Sequence, residues 1–186
     1  MKIIDIYTER VPKWMKEYSL EKQENQYGTF YKTKLTNKQA AKLERQLTRR
    51  KIRFRSYDEN LERSSNYRSV FFHNNKPPYR CRYCHKKITG KELEVDHIIP
   101  VSKAKKDVKV RTLMLVTGIH NINDPKNLAP SCISCNRRKS DNTGLWYVRG
   151  ILGKYNLYWT FIKIFKLAFI GILLFLIWYY GRMVLA

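Results

Sequence analysis

Hydrophobic and polar positions change their pattern several times along the chain. Residues 1–35 mix tyrosines and lysines without a sustained period, so no element is assigned there. Near Asn37 a helical spacing begins. Ala40, Ala41, Leu43 and Leu47 form an apolar stripe, and Thr36 or Asn37 can cap it, which predicts a helix to about Arg53. Lys42, Arg45, Arg49, Arg50 and Arg53 make the remaining surface of that helix cationic. Pro77-Pro78 closes the region, because tandem prolines end helices and favour an extended chain.

Alternation takes over at Glu94-Val95-Asp96-His97-Ile98-Ile99-Pro100, a short strand stopping at a proline. Ser102 is placed to cap a helix over Lys103–Thr117 that stops at Gly118. Val108, Met114 and Leu115 would face inward, and Lys103, Lys106, Lys109 and Arg111 outward. Turn residues make 118–127 a loop, and Leu128–Pro130 is a short second strand. A helix begins within the following Cys132-Ile133-Ser134-Cys135 and carries Asn136, Arg137, Arg138 and Lys139.

Leu167 to Gly181 is fifteen residues without a charge. That is shorter than the roughly 20 needed to span a bilayer. The flanks extend it: Tyr158-Trp159 precede the run, Trp178-Tyr179-Tyr180 end it, and Lys163, Lys166 and Arg182 can snorkel. Trp159 to Trp178 would measure about 28 Å as a helix. The run is apolar all round, which argues against a helix lying flat on a membrane. Two readings stand, a single C-terminal membrane anchor and a buried or dimerising helix. The first predicts a chain on the cytoplasmic side of a membrane, the second a cytoplasmic one.

Charge sharpens the picture. The 186 residues carry a formal charge of +22, and the excess runs throughout: +10 over 1–80, +8 over 81–150 and +4 over 151–186. Such a balance suits a broad surface laid on a phosphate backbone or an anionic membrane. A hydrophobic fraction of 44% excludes wholesale disorder. Four cysteines are too few for a disulfide-dense secreted scaffold. Asp5, Glu9 and Arg10 are incompatible with a secretory signal at this end.

Those four cysteines form two C-x-x-C pairs, Cys81–Cys84 and Cys132–Cys135. Two intervening residues let both thiolates of a pair meet one ion, and two pairs complete a tetrahedral zinc site. Redox pairs and disulfides are the alternatives. His85, beside Cys84, is read as a surface residue, and His120 as incidental. Adjacent Asp96 and His97 would normally face opposite sides of a strand, but at a strand end or bulge both can serve one centre.

From Cys81 to about Lys139 the chain resembles the HNH endonucleases of the ββα-metal superfamily, of the type with a four-cysteine zinc. The motifs are C-x-x-C, then Asp96-His97-Ile98-Ile99-Pro100-Val101-Ser102, then Asn127-Leu128, then C-x-x-C-Asn136-Arg137-Arg138-Lys139. The resemblance implies an α+β fold with a ββα-metal core. His97 takes the place of the general base, Asp96 and Asn136 of the metal ligands, and Asn127 of the asparagine that orients the base. It also implies Mg²⁺ or Mn²⁺ at the catalytic centre, Zn²⁺ as the structural ion, and a 5′-phosphate product. The segment between Ser102 and Asn127 is longer than the family's usual loop.

The organisation expected is a basic, partly helical region over 1–78, an HNH domain over 79–154 and a hydrophobic helix over 155–186. Arg137, Arg138, Lys139, Lys103, Lys106, Arg49 and Arg50 are the expected nucleic-acid contacts. The function expected is metal-dependent hydrolysis of phosphodiester bonds, with double-stranded DNA as partner and the bilayer as a second. The alternative is a catalytically inactive, zinc-stabilised nucleic-acid-binding protein tethered to a membrane.

Overall fold

The computed structural model describes residues 1–25 and 28–185. Side chains beyond residue 181 fall outside the description, and with them the expected snorkelling of Arg182. The chain divides into two compact units, each assembled from separate stretches. Residues 1–70 and 99–127 make the first, and 71–98 with 128 onward the second. This division cuts across the expected boundaries, because the segment between the two halves of the HNH motif belongs with the N-terminal region.

The first unit is built on a sheet where none was expected. Strands β1 (Lys2–Tyr7), β2 (Glu21–Asn25) and β3 (Gly28–Leu35) precede helix α1 (Asn37–Arg49), and β4 (Arg53–Asp58) follows it. All pairs are antiparallel, in the order β2-β3-β1-β4. The central strand β1 is buried on both faces, so its sequence does not alternate. Ile4 and Ile6 pack with Leu35, Met15 and the Ala40, Leu43 and Leu47 stripe of α1. Thr36 caps that helix in a reciprocal capping box with Gln39. The helix ends at Arg49 rather than Arg53, which starts β4.

On the opposite face Asp5 and Tyr57 meet Glu62. The Tyr57 hydroxyl lies 2.7 Å from Glu62 Oε2 and 3.1 Å from Asp5 Oδ1. One hydroxyl proton serves only one carboxylate, and the shorter contact gives it to Glu62. Burial pushes the Asp5 carboxyl up, against the pull of Lys32 and Lys105. Burial acts the same way on Glu62. There the hydrogen bonds from Lys105 (2.6 Å), Lys32 (2.7 Å) and Tyr57 outweigh it and hold the carboxyl at about 2.

The expected single helix over Lys103–Thr117 is two. Helix α2 (Tyr67–Asn74) comes before them in the chain, and α3 (Val101–Lys106) and α4 (Val108–Val116) break at Asp107. The Asp107 carboxylate accepts from Lys109 N–H at 2.8 Å and caps α4. Ser102 therefore lies inside α3 and caps nothing. Val110 and Met114 face the core, whereas Val108 and Leu115 are 65% and 62% exposed, contrary to their expected inward placement.

In the second unit β5 (Leu93–His97) pairs antiparallel with β6 (Leu128–Cys132), and α5 (Ile133–Lys139) packs on both. Then come α6 (Leu145–Leu152) and the 30-residue α7 (Asn156–Leu185). The apolar stretch of α7, Asn156–Gly181, is long and apolar enough to cross a membrane, and its most apolar window is not buried at all within the chain.

Candidate active site and metal centre

The four cysteine sulfurs lie within 4.8 Å of one another, and no disulfide joins them. Cys81 and Cys84 sit on a tight knuckle. Its turn is held by Cys81 N–H to Lys86 O and His85 N–H to Cys81 O, both 2.8 Å. Cys132 ends β6, and Cys135 stands in the first turn of α5. Arg82 N–H donates to Pro130 O at 2.9 Å and ties the two halves together. An ion bonded to four thiolates at about 2.3 Å would hold the sulfurs about 3.8 Å apart. Cys84 and Cys132 stand at 3.9 Å. The donor set and spacing therefore fit a tetrahedral metal ion.

Register then delivers the acidic side chains. In β5, Glu94 pairs with Ser131 and Asp96 with Ala129, so both point to one face, toward α5. Asn136 Nδ2 donates to Glu94 Oε2 at 2.6 Å, which leaves the amide oxygen available as a ligand. One turn on, Lys139 is fully buried, with Nζ 3.0 Å from Asp96 Oδ2 and 2.8 Å from the His97 carbonyl. The Tyr83 hydroxyl donates to the same carboxylate. Burial pushes the Asp96 carboxyl up and the Lys139 ammonium down, and their attraction opposes both shifts. Burial likewise drives the Tyr83 hydroxyl up, and the Asp96 charge drives it further, so it stays a donor. His97 closes the strand opposite Leu128, 6% exposed.

Residues 81–111 match the family model described as HNH endonuclease. This stretch is an HNH segment. No curated protein and no solved structure matches the chain. The HNH segment supports a nuclease-type function in general, with nucleic acid as the class of substrate. HNH nucleases use divalent metals, and the cysteine cluster is placed to hold a metal ion.

Asn127 sits at the return of the HNH insert, fully buried. Its Oδ1 accepts from Ile99 N–H at 2.8 Å, and its Nδ2 donates to Ile122 O at 2.8 Å and more weakly to Ile99 O at 3.4 Å. These bonds pin Ile99, the residue where the insert departs, to the residue where it returns.

Of the expected nucleic-acid contacts, Arg137 and Arg138 are exposed on α5 and line a groove of about 690 Å³ beside the cysteines. In the first unit Arg49, Arg50 and Lys106 are exposed and Lys103 is half-buried. Arg50 lies over the Trp14 ring at 4.4 Å. Lys139 is the correction. It has no exposed surface, and its charge is spent on Asp96, so it presents nothing to a phosphate.

Tyr83 and Glu94 were not legible as site residues, nor was the place of Lys139 beside Asp96, although two signals existed. Glu94 is two positions before Asp96 on a strand, and Lys139 three after Asn136 on a helix; both spacings share a face. His85 is likewise no plain surface residue. Its φ is +64°, and its ring stacks on Trp159 with centroids 5.2 Å apart. Burial, then the charges of Arg80 and Lys163, lower its basicity.

Proposed function

We propose that the protein is a membrane-tethered, metal-dependent HNH endonuclease that hydrolyses DNA. The observation that supports this reading is that one hairpin and one helix bring Asp96 and Asn136 together, held by Glu94, Tyr83 and Lys139, with His97 next to Asp96 at the end of β5.

Asp96 and Asn136 would hold the catalytic ion. A carboxylate has about four lone-pair positions, so Lys139, Tyr83 and the His97 N–H leave one for it, and one carboxylate plus one amide oxygen suits Mg²⁺ or Mn²⁺. When bound, that ion supplies Lewis-acid stabilisation of charge on the scissile phosphate and the leaving 3′ oxygen. His97 takes the proton of the attacking water. Lys139 fixes the peptide carbonyl of His97 and the Asp96 carboxylate together, so base and ligand keep one geometry. Asn127 is a positioning residue, acting through Ile99 on the chain just beyond His97. The four cysteines hold a structural Zn²⁺, and Arg137 and Arg138 engage the phosphate backbone. Helix α7 crosses the bilayer, with the basic domains on the cytoplasmic side.

The test is nicking of supercoiled plasmid by the full chain in detergent micelles, with Mg²⁺ and then Mn²⁺. His97→Ala should lower the rate by about 10²–10⁴-fold while DNA binding is retained. Equal activity in both proteins would remove His97 as base. DNA binding without nicking in either would favour the inactive binding protein.

A further inference from the structure

Resting on the tether reading, we propose that the zinc knuckle and the first turns of α7 form a surface that binds anionic phospholipid headgroups, so that the second unit lies on the bilayer.

The joint between α7 and this unit is packed. A Cβ at Gly153 would stand 2.0 Å from the Arg82 carbonyl oxygen in the knuckle, and one at Gly150 2.5 Å from Ile98 Cγ2. Only glycine lets the end of α6 approach so closely. Trp159, in the first turn of α7, donates Nε1–H to Gly153 O at 2.9 Å and lays its ring on His85. The knuckle and the start of the apolar helix are thus one block.

Length then sets the height of that block. Trp159 opens the stretch of about 28 Å to Trp178 that matches the hydrocarbon thickness, so it stands at the boundary with the headgroups. A headgroup layer is about 5–8 Å thick. The knuckle stacked on Trp159 therefore lies in or just above the headgroups, within about one Debye length.

Its charge is predominantly of one sign, the exception being Glu92, which pairs with Lys86 at 3.3 Å. Residues 80–87 hold Arg80, Arg82, Lys86 and Lys87 with no acid, and the chain from Leu145 onward has no Asp or Glu. Arg80, Lys87, Lys154, Lys163 and Lys166 are exposed. Arg80 Nη1 also donates to the His85 carbonyl at 3.3 Å, which keeps its charge near His85. DNA would satisfy the same cations, but the packed joint brings them to the membrane whenever α7 is inserted.

The experiment is hydrogen exchange on the full chain in nanodiscs of phosphatidylcholine, alone or mixed with phosphatidylglycerol. Alkaline carbonate extraction from vesicles of the same lipids scores insertion. Amides of residues 80–87 should exchange several-fold more slowly with the anionic lipid. Arg80→Glu combined with Lys87→Glu should abolish that difference while zinc content and insertion stay unchanged. Equal exchange in the two lipids, with the chain inserted, would overturn the surface and leave the tether standing. Protection of the same amides by DNA in neutral discs, without a lipid effect, would assign these cations to nucleic acid and overturn it too. A chain that carbonate extracts would refute the tether and the surface with it.

Discussion

Replacing Lys139 by Met keeps the side-chain volume and removes the ammonium. The consequence can be worked from its surroundings. Nζ lies 3.0 Å from Asp96 Oδ2 and 2.8 Å from the His97 carbonyl, and the two side chains are 0% and 10% exposed. Without Lys139 the Asp96 carboxylate keeps the Tyr83 hydroxyl and the His97 backbone N–H but no countercharge. Breaking a buried pair by removing one partner costs about 3–5 kcal/mol. For a chain of this length that corresponds to a fall of about 6–20 °C in Tm. The assay is denaturant unfolding in detergent, followed by near-ultraviolet circular dichroism. Adding Asp96→Asn should recover most of the loss, because the charge left unpaired is then gone. The deficit should also shrink in acid. Burial raises the Asp96 pKa in the folded state, so a falling pH neutralises the carboxylate there before it does so in the unfolded chain. A loss below about 1 kcal/mol, unchanged by Asp96→Asn, would refute the view that this pair is a buried, mutually dependent unit.

Cys132→Ser should release one equivalent of metal and lower Tm sharply, since a structural ion contributes folding energy; an unchanged metal content would remove the tetrad as a site. Glu62 is held at about 2 from an ordinary 4.5, so its contribution of up to about 3 kcal/mol is present above pH 4.5 and lost as pH falls toward 2. Glu62→Gln should flatten that acid limb, and an unaltered pH profile would count against the network. Gly153→Ala should destabilise by more than about 1 kcal/mol and perturb the Trp159–His85 stack; wild-type Tm would show that the joint yields.

The hairpin, the helix after it and the cysteine cluster of the second unit were legible because their signals are local. Both cysteine pairs, the Asp96-His97 strand end and the helix carrying Asn136 lie within a few residues of their own markers, and the described hairpin and α5 fall where those markers put them. The N-terminal sheet was hidden by burial on both faces: β1 has Ile4 and Ile6 on one side and Ile3 with a charged Asp5 on the other. Asp5 reads as a break, yet it is kept inside beside the Lys32 and Lys105 ammonium groups. The cut between α3 and α4 turns on one capping carboxylate, Asp107, within a stretch of uniform helical character. Lys139 misled for the opposite reason, because a basic residue in a basic run gives no sign that its partner is an aspartate 43 positions earlier.

The insert between β5 and β6 sets an order of assembly. The strands pair His97 with Leu128, yet the chain between them packs with the N-terminal sheet, α3 against β4 among others. The strands of that sheet all precede the insert in the chain, so during synthesis they emerge before α3 and α4. Asn127 then fastens the end of the excursion to Ile99, and most of the entropy of closing a long hairpin loop has been met before the strands pair. Cys132 and Cys135 follow immediately in sequence. The cysteine cluster can therefore close only after the whole insert has been synthesised, because its second pair lies beyond the insert in the chain.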